Sequence, residues 1–113
     1  MSDTIFSKII AREIPADIVF EDDLCLAFRD IAPLAPTHIL LIPKKPIARL
    51  ADATAEDRDV LGHMMLMAGD IARSEGVGDA FRVVINSGEG AGQAVFHLHL
   101  HILAGRELTW PPG

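Results

Sequence analysis

The sequence has few of the features that would place it outside ordinary globular proteins. Of its 113 residues one is a cysteine, Cys25, so no disulfide can form within the chain, and we expect a reducing, cytoplasmic location. No uninterrupted apolar run approaches the roughly 18 residues of a membrane-spanning helix. The first thirteen residues carry several charges and lack the apolar core of a secretory signal, so we expect no such signal here.

Basic residues are also in the minority. Ten Lys and Arg stand against sixteen Asp and Glu, which gives a net charge of -6. A net acidic chain is a poor nonspecific binder of nucleic acid, so we expect neither a nucleic-acid polymer nor a membrane among its partners. Half of the residues are hydrophobic, which excludes disorder on composition. With no internal repeat or linker-like stretch, the sequence predicts a single domain over residues 1–113.

Hydrophobic periodicity predicts one short and one long helix. A short helix is expected over residues 4–12, ending before Pro15. The longer helix begins near Thr54, which has Asp57 three residues later in a capping-box pattern, and Gly76 is its expected C-terminal cap.

Five runs have the composition of strands: 17–22, 24–30, 37–43, 81–87 and 95–103. The connections between them are too short for parallel crossovers, except around the long helix. The sequence therefore predicts an α+β fold with a mainly antiparallel five-stranded sheet.

The last predicted strand carries an unusual pattern, His97-Leu98-His99-Leu100-His101. Because side chains alternate along a strand, all three imidazoles share one face, and Phe96, Leu98, Leu100 and Ile102 are expected on the core face. Burying an imidazole without a polar partner is costly, so three on one face indicate a functional site more than a structural one.

Two chemistries use such a histidine face. A His-x-His pair is a common metal chelate, and His38 on a neighbouring predicted strand could add a third ligand. Parallel imidazoles spread over about 13 Å do not converge on one ion, which disfavours this interpretation. Nucleophilic catalysis fits better, because a neutral imidazole has a lone pair at pH 7 without an activating base. The middle residue, His99, is the best candidate, and its neighbours can hold its tautomer, bind anionic oxygens when protonated, or donate a proton.

A glycine-rich loop precedes this strand. Gly88, Gly90 and Gly92 allow backbone N–H groups to turn towards an anion, although a flexible hairpin loop would have the same composition. Asn86, at the end of the preceding strand, could hydrogen-bond a phosphate oxygen or simply form a turn.

These residues resemble a known signature. The run from His97 to Leu103 is similar to that of the histidine-triad superfamily, and the resemblance to its Hint branch runs nearly end to end. It is carried by Ile5-Phe6-Ser7-Lys8-Ile9-Ile10, Ile14-Pro15-Ala16, Leu26-Ala27-Phe28-Arg29-Asp30-Ile31, Pro36-Thr37-His38-Ile39-Leu40, Ile42-Pro43-Lys44-Lys45 and Trp110-Pro111-Pro112-Gly113.

The resemblance implies a homodimer with one continuous sheet and a metal-free, cofactor-free hydrolase. Such an enzyme cleaves the P–N bond of purine nucleoside phosphoramidates, and also aminoacyl-adenylates, and releases a nucleoside monophosphate such as AMP. His99 would be the nucleophile that forms a nucleotidyl-histidine, supported by His97, His101 and His38. The implied substrate contacts are Ile5, Phe6, Ile9, Phe28 and Ile31 around the base, Asp30 at the ribose, Asn86, Gly92, Gln93, Ala94 and Val95 at the phosphate, and Trp110 reaching towards the partner's site.

Departures from the pattern leave alternatives open. Ala94 stands where animal Hint proteins often have a serine, which puts the leaving-group preference in question. A nucleotide-binding regulatory or scaffold module, a dinucleoside polyphosphate hydrolase and a metal-buffering protein are the competing hypotheses. Outside the site, His63 is interpreted as a surface or interface residue and Cys25 as a small buried apolar one.

Overall fold

The computed structural model describes residues 3–113, which form two helices and a five-stranded antiparallel sheet. The helices are α1 (Ile5–Ile10) and α2 (Arg58–Ser74), and the strands are β1 (Ile18–Glu21), β2 (Cys25–Arg29), β3 (Thr37–Pro43), β4 (Phe81–Val84) and β5 (Leu100–Ala104). The strand order is β1-β2-β3-β5-β4, and every neighbouring pair is antiparallel. The predicted α+β fold is thereby confirmed. Over residues 3–113, neither helix has the length and apolar character required to cross a membrane.

One face of the sheet packs against α2. The apolar side chains of α2 recur three and four residues apart, so Met64, Ala68 and Ile71 form a buried stripe on this helix. The stripe contacts strand residues that alternate along the chain: Cys25 and Ala27, Ile39 and Leu41, Leu98, Leu100 and Ile102. This layer holds the main hydrophobic core, and Cys25 within it is fully buried, as expected.

The opposite face is covered by the much shorter α1. Phe6 and Ile9 of this helix pack against Phe28, Leu40 and other strand residues. Thr4 caps the helix, because its side chain accepts from the Ser7 amide while the Ser7 hydroxyl accepts from the Thr4 amide. Six residues cover only part of a sheet face, so one end of this face is left for polar side chains.

The ends of α2 follow the signals in the sequence. The Thr54 amide donates to the Asp57 carboxylate over 2.9 Å, which closes the expected capping box on a short 3-10 turn before the helix. At the other end Gly76 has a φ of 79°, a left-handed conformation that glycine adopts at little cost. The predicted C-terminal end is confirmed, whereas the α-helix itself begins four residues after Thr54, at Arg58, because the capping box closes the 3-10 turn that precedes it.

The histidine segment departs from the predicted strand. β5 begins at Leu100, so His97 and His99 precede the regular pairing, although Leu98 and Leu100 are still buried in alternation. Phe96 is 43% exposed, so the prediction that it faces the core is wrong. The chain bends at residues 95–97, and alternation counted back from a strand fails where the strand has not begun.

Candidate active site

The histidines lie on the α1 face of the sheet, next to Phe6 of that helix. His101 pairs across the sheet with Leu40, and cross-strand partners share a face. The ring centroid of His99 lies 5.0 Å from that of His101 and also 5.0 Å from that of Phe6. The aromatic ring of α1 therefore forms one wall of the histidine cluster, and the apolar residues between the histidines point into the opposite layer.

The tautomer of His99 is fixed by the main chain. Its Nδ1 lies 2.8 Å from the carbonyl oxygen of His97. A carbonyl oxygen can only accept, so Nδ1 carries the proton and Nε2 of the neutral ring keeps its lone pair. His99 is 7% exposed, which limits the competition of water for that lone pair. This is the state that a nucleophilic imidazole requires.

A second relay fixes the other two rings. The amide of Leu34 donates to Nδ1 of His38 over 3.1 Å, so the neutral His38 ring carries its proton on Nε2. That Nε2 lies 2.9 Å from Nδ1 of His101, which must accept. His101 consequently carries its own proton on Nε2. The relay turns His101 into a neutral N–H donor beside the lone pair of His99.

Burial keeps these rings neutral. It lowers the pKa of His101 to about 4, with the nearby rings of His99 and His38 acting in the same direction. Burial also lowers the pKa of His38, against the opposing effect of the Asp30 carboxylate. A third proton on the His38–His101 pair would face an N–H group, either the Leu34 amide or the N–H of the other ring, which reinforces the neutral state.

The His97 ring is turned to a different partner. Its Nε2 lies 2.7 Å from the carbonyl oxygen of Pro43, and burial lowers its pKa despite that bond. The ring is thus bound to the end of β3. The resemblance implied that His97 supports the phosphate and the tautomer of His99, and in the structure His97 contacts Nδ1 of His99 through its main-chain oxygen.

The glycine-rich loop forms a 3-10 turn at Glu89–Ala91, between Gly88 and Gly92 at φ values of 95° and 97°. The amides of Ala91 and Gln93 both donate to the Gly88 oxygen, and that of Gly92 donates to Glu89. These N–H groups are therefore occupied inside the loop. Over residues 3–113, the amides of Ala94 and Val95 donate to no protein acceptor, so these two N–H groups, which lead into His97, are among those that remain for an anion.

Gln93 organises this loop from inside. Its side chain is 2% exposed, accepts from the Gly88 amide over 2.8 Å, and donates to the oxygens of Ala48 (2.7 Å) and Val95 (3.0 Å). Every polar atom of the side chain is thus bonded to main chain. Among the implied phosphate contacts, Gln93 acts by positioning the loop.

A cavity of about 290 Å³ lies beside the cluster, between α1 and the end of β2. It brings together all six residues that the resemblance assigned to base and ribose: Ile5, Phe6, Ile9, Phe28, Asp30 and Ile31. The lining also contains Val95 of the implied phosphate contacts, together with Ile14, Pro15, Ala16, Arg29 and Leu40. Ile31 is 98% exposed and forms the rim.

Three further residues of the implied site lie outside that cavity. A Cβ built on Gly92 would lie 3.8 Å from the side-chain nitrogen of Asn86, so Asn86 contacts the loop from β4's end. Ala94 is exposed. Trp110, 82% exposed, lies with Asn86 at a second cavity beside β4, away from the pocket of its own chain.

The cluster also contains a set of groups that could hold a metal. Ligand atoms of Asp30, His38 and His101 lie within 4.8 Å of one another. The sequence interpretation included His38 as a third ligand from the neighbouring strand, but it did not name Asp30 among the possible ligands. The tautomer-setting groups, the Leu34 amide and the Pro43 oxygen, were missed as well, because main-chain groups leave no side-chain signal.

Known proteins resemble this chain over nearly its full length. A family model described as HIT domain matches residues 11–108, which is most of the chain. The chain belongs to the HIT domain family. Within this family, an uncharacterized HIT-like protein of Synechocystis sp. is 65% identical over 111 residues, covering 98% of this chain and 97% of that protein. A protein of Zea mays named as a 14 kDa zinc-binding protein is 51% identical over 114 residues, covering 99% and 89%.

The HIT fold is equally clear in a solved structure. The crystal structure of a HIT family hydrolase from Legionella pneumophila matches with a TM-score of 0.96 at 49% identity, covering 98% of this chain and 100% of that one. The sheet and helices of this HIT chain therefore follow those of a protein named as a hydrolase.

Proposed function

We propose that this HIT chain hydrolyses the P–N bond of purine nucleoside phosphoramidates, and the related bond of aminoacyl-adenylates, through a covalent nucleotidyl-His99. The observation that carries the proposal is the pair of opposite tautomers, a lone pair on Nε2 of His99 beside an N–H on Nε2 of His101. A nucleophile beside a charge-stabilising donor is what phosphorus chemistry needs. The resemblance to the Hint branch supplies the substrate class.

The proposed reaction has two displacements. The His99 lone pair forms a bond to the α-phosphorus, and the P–N bond breaks with its electron pair leaving on the amine, which takes a proton from solvent. Water then attacks the nucleotidyl-histidine, its oxygen bonds to phosphorus, its proton goes to solvent, and the lone pair returns to His99. His101 donates a hydrogen bond to the charge that develops at phosphate or leaving group in both steps. Ala94 has no hydroxyl to assist the leaving amine.

The cavity beside the cluster suits a nucleoside in this proposal. Its walls are mostly apolar, with Phe6 and Phe28 presenting rings and Asp30 presenting a carboxylate. Aromatic and aliphatic walls bind a purine by stacking and burial with few polar contacts to its edge. We therefore expect modest discrimination between adenine and guanine.

The test is a steady-state assay with adenosine 5'-phosphoramidate in the presence of a chelator. His99→Ala should lower turnover by orders of magnitude while the chain still folds and binds AMP, because the covalent route itself is removed. His63→Ala is the matched control, since His63 lies outside the cluster. Near-normal turnover by His99→Ala would refute the mechanism.

The competing functions give different results in the same assay. AMP binding without turnover by the wild type would favour a nucleotide-binding regulatory or scaffold module. Faster cleavage of a dinucleoside polyphosphate than of the phosphoramidate would favour that hydrolase class. Turnover that the chelator abolishes would favour a metal at Asp30, His38 and His101, an option that the zinc-binding name of the Zea mays relative makes worth testing.

The proposed enzyme is a homodimer whose sheets join at β4. This strand lies at the edge of the sheet, and an unpaired edge is a template for another strand. Met65 and Leu66 on α2 are 56% and 70% exposed, which leaves apolar surface for a partner. Analytical ultracentrifugation should give the mass of two chains, and Leu66→Glu should shift it towards one. A monomer at tens of micromolar would contradict the proposal.

A further inference from the structure

A second cluster of metal-ligating side chains lies outside the proposed active site. It contains Asp22 in the β1–β2 turn, Cys25 at the start of β2 and His63 on α2. Nε2 of His63 is 2.6 Å from Oδ2 of Asp22, and Sγ of Cys25 is 3.4 Å from Oδ1 of the same carboxylate. One ligand atom from each residue lies within 4.8 Å of the other two.

This cluster is separated from the catalytic histidines by the sheet. Cys25 belongs to the apolar layer shared with Met64 of α2, whereas His99 and His101 lie on the α1 face. The proposed reaction uses none of the three residues. A ligand bound here is therefore distinguishable from one bound at the active site.

The donor set selects a class of metal. Thiolate, imidazole and carboxylate together are ligands of Zn²⁺, whereas Mg²⁺ and Ca²⁺ prefer oxygen alone. We propose that Asp22, Cys25 and His63 form a three-ligand Zn²⁺ site, with water in the fourth position. The side chains of Asp22 and His63 are 30% and 29% exposed, so solvent reaches the cluster from their side while Cys25 closes its base.

The geometry needs little adjustment. Tetrahedral zinc with bonds of about 2.0 to 2.3 Å places its ligand atoms about 3.3 to 3.8 Å apart. The 3.4 Å between Sγ of Cys25 and Oδ1 of Asp22 already fits. The 2.6 Å between Nε2 of His63 and Oδ2, the other oxygen of that carboxylate, must open by less than about 1 Å. His63 lies on a long helix that packs against this sheet face, so the opening requires only a rotation of its side chain.

The carboxylate is held in place before any ion binds. Oδ1 of Asp22 accepts from the amides of Leu24 and Cys25, each over 2.9 Å. Hydrogen bonds to a ligating carboxylate fix its orientation and support metal affinity. The nearby cation Lys44 is engaged by Glu21 over 2.8 Å, which reduces its repulsion of a divalent ion.

The experiment is a Co²⁺ titration of the reduced, metal-free full chain, followed by displacement with Zn²⁺. Cys25 is the one cysteine of the sequence, so a thiolate-to-cobalt charge-transfer band reports this site alone. We expect one equivalent with that band. Cys25→Ser should abolish the band, and His63→Gln should weaken binding by at least about tenfold. Circular dichroism melts verify that both variants fold. If Cys25→Ser does not fold, His63→Gln still tests the proposal.

Control variants separate the two clusters. His99→Ala and His101→Gln should retain the band and the affinity, because the sheet separates them from the site. Absence of the thiolate band in the wild type would overturn the proposal, as would unchanged affinity in His63→Gln. Cobalt binding that only His101→Gln removes would place the ion at the active-site histidines and would equally refute it.

Discussion

Replacing Gln93 by alanine tests how far the phosphate-side loop depends on one buried side chain. The substitution removes three hydrogen bonds at once, to the Gly88 amide and to the oxygens of Ala48 and Val95. Within residues 3–113, no other side chain joins the glycine turn by hydrogen bonds to the segment leading into His97. We expect both the stability and the catalytic geometry to suffer.

The expected loss of stability depends on the groups to which the Gln93 side chain is hydrogen-bonded. A typical intramolecular hydrogen bond contributes about 0.5 to 1.5 kcal/mol, and a buried group left unpaired costs more. Ala48 is at the surface, where water can replace the lost amide, while Gly88 and Val95 are half-buried. We therefore expect a loss of about 2 to 3 kcal/mol in the free energy of unfolding, since three bonds are lost and one is partly replaced. In a domain of this size that lowers Tm by about 8 to 12 °C.

The assay is urea unfolding followed by circular dichroism, with phosphoramidase kinetics measured well below the new Tm. Gln93→Glu is the matched variant, because it keeps the acceptor for Gly88 but turns a carboxylate towards two carbonyl oxygens. Burial and those oxygens should raise the pKa of the new carboxyl, so its destabilisation should lessen as pH falls through that raised value. A Gln93→Ala protein within about 0.5 kcal/mol of the wild type would refute this role for Gln93, because that is the range of ordinary surface substitutions.

Three further outcomes are expected. Gly105→Ala should destabilise the fold more than Gly76→Ala in thermal melts. Both glycines have a positive φ, but a Cβ at position 105 would lie 2.8 Å from Pro36, whereas position 76 is open. Equal losses of stability would contradict this steric argument. NMR titration should give His101 a midpoint near its pKa of about 4, well below the ordinary 6.5, so it stays neutral across the physiological range; a midpoint above 6 would refute the buried relay. Leu98→Ala, at a fully buried position, should cost about 2 to 5 kcal/mol in urea unfolding, and a cost below about 1 kcal/mol would show that the layer under α2 is loosely packed.

The sequence was most informative where local pattern and final structure obey the same rule. β3 occupies residues 37–43, as predicted, because a run of β-branched and aliphatic residues buried on both faces carries its own boundaries. The capping box at Thr54 and Asp57 is likewise local, since all its atoms come from four consecutive residues. The shared face of His99 and His101 followed from alternation.

The features that the sequence did not predict depend on contacts between segments that are distant along the chain. Phe96 was misplaced because alternation does not continue through a bend. The partner of the His97 ring lies 54 residues away on β3, and His38 meets His101 across 63 residues. No local pattern encodes such partners. The cluster of Asp22, Cys25 and His63 was not predicted for the same reason. In the sequence His63 resembles an ordinary helix residue, and only the fold brings it to the turn between β1 and β2.

The main-chain contacts of the histidine cluster have a consequence for how this site tolerates change. The proton positions of His97, His99 and His38 are set by the oxygens of Pro43 and His97 and by the Leu34 amide. A side-chain substitution at positions 34 or 43 leaves these atoms in place, with proline at 34 as the exception. Substitutions around the cluster can therefore change the side chains that line the cavity while the proton positions of these rings stay the same. If the proposed reaction is correct, the site could then accept new leaving groups without losing its nucleophile.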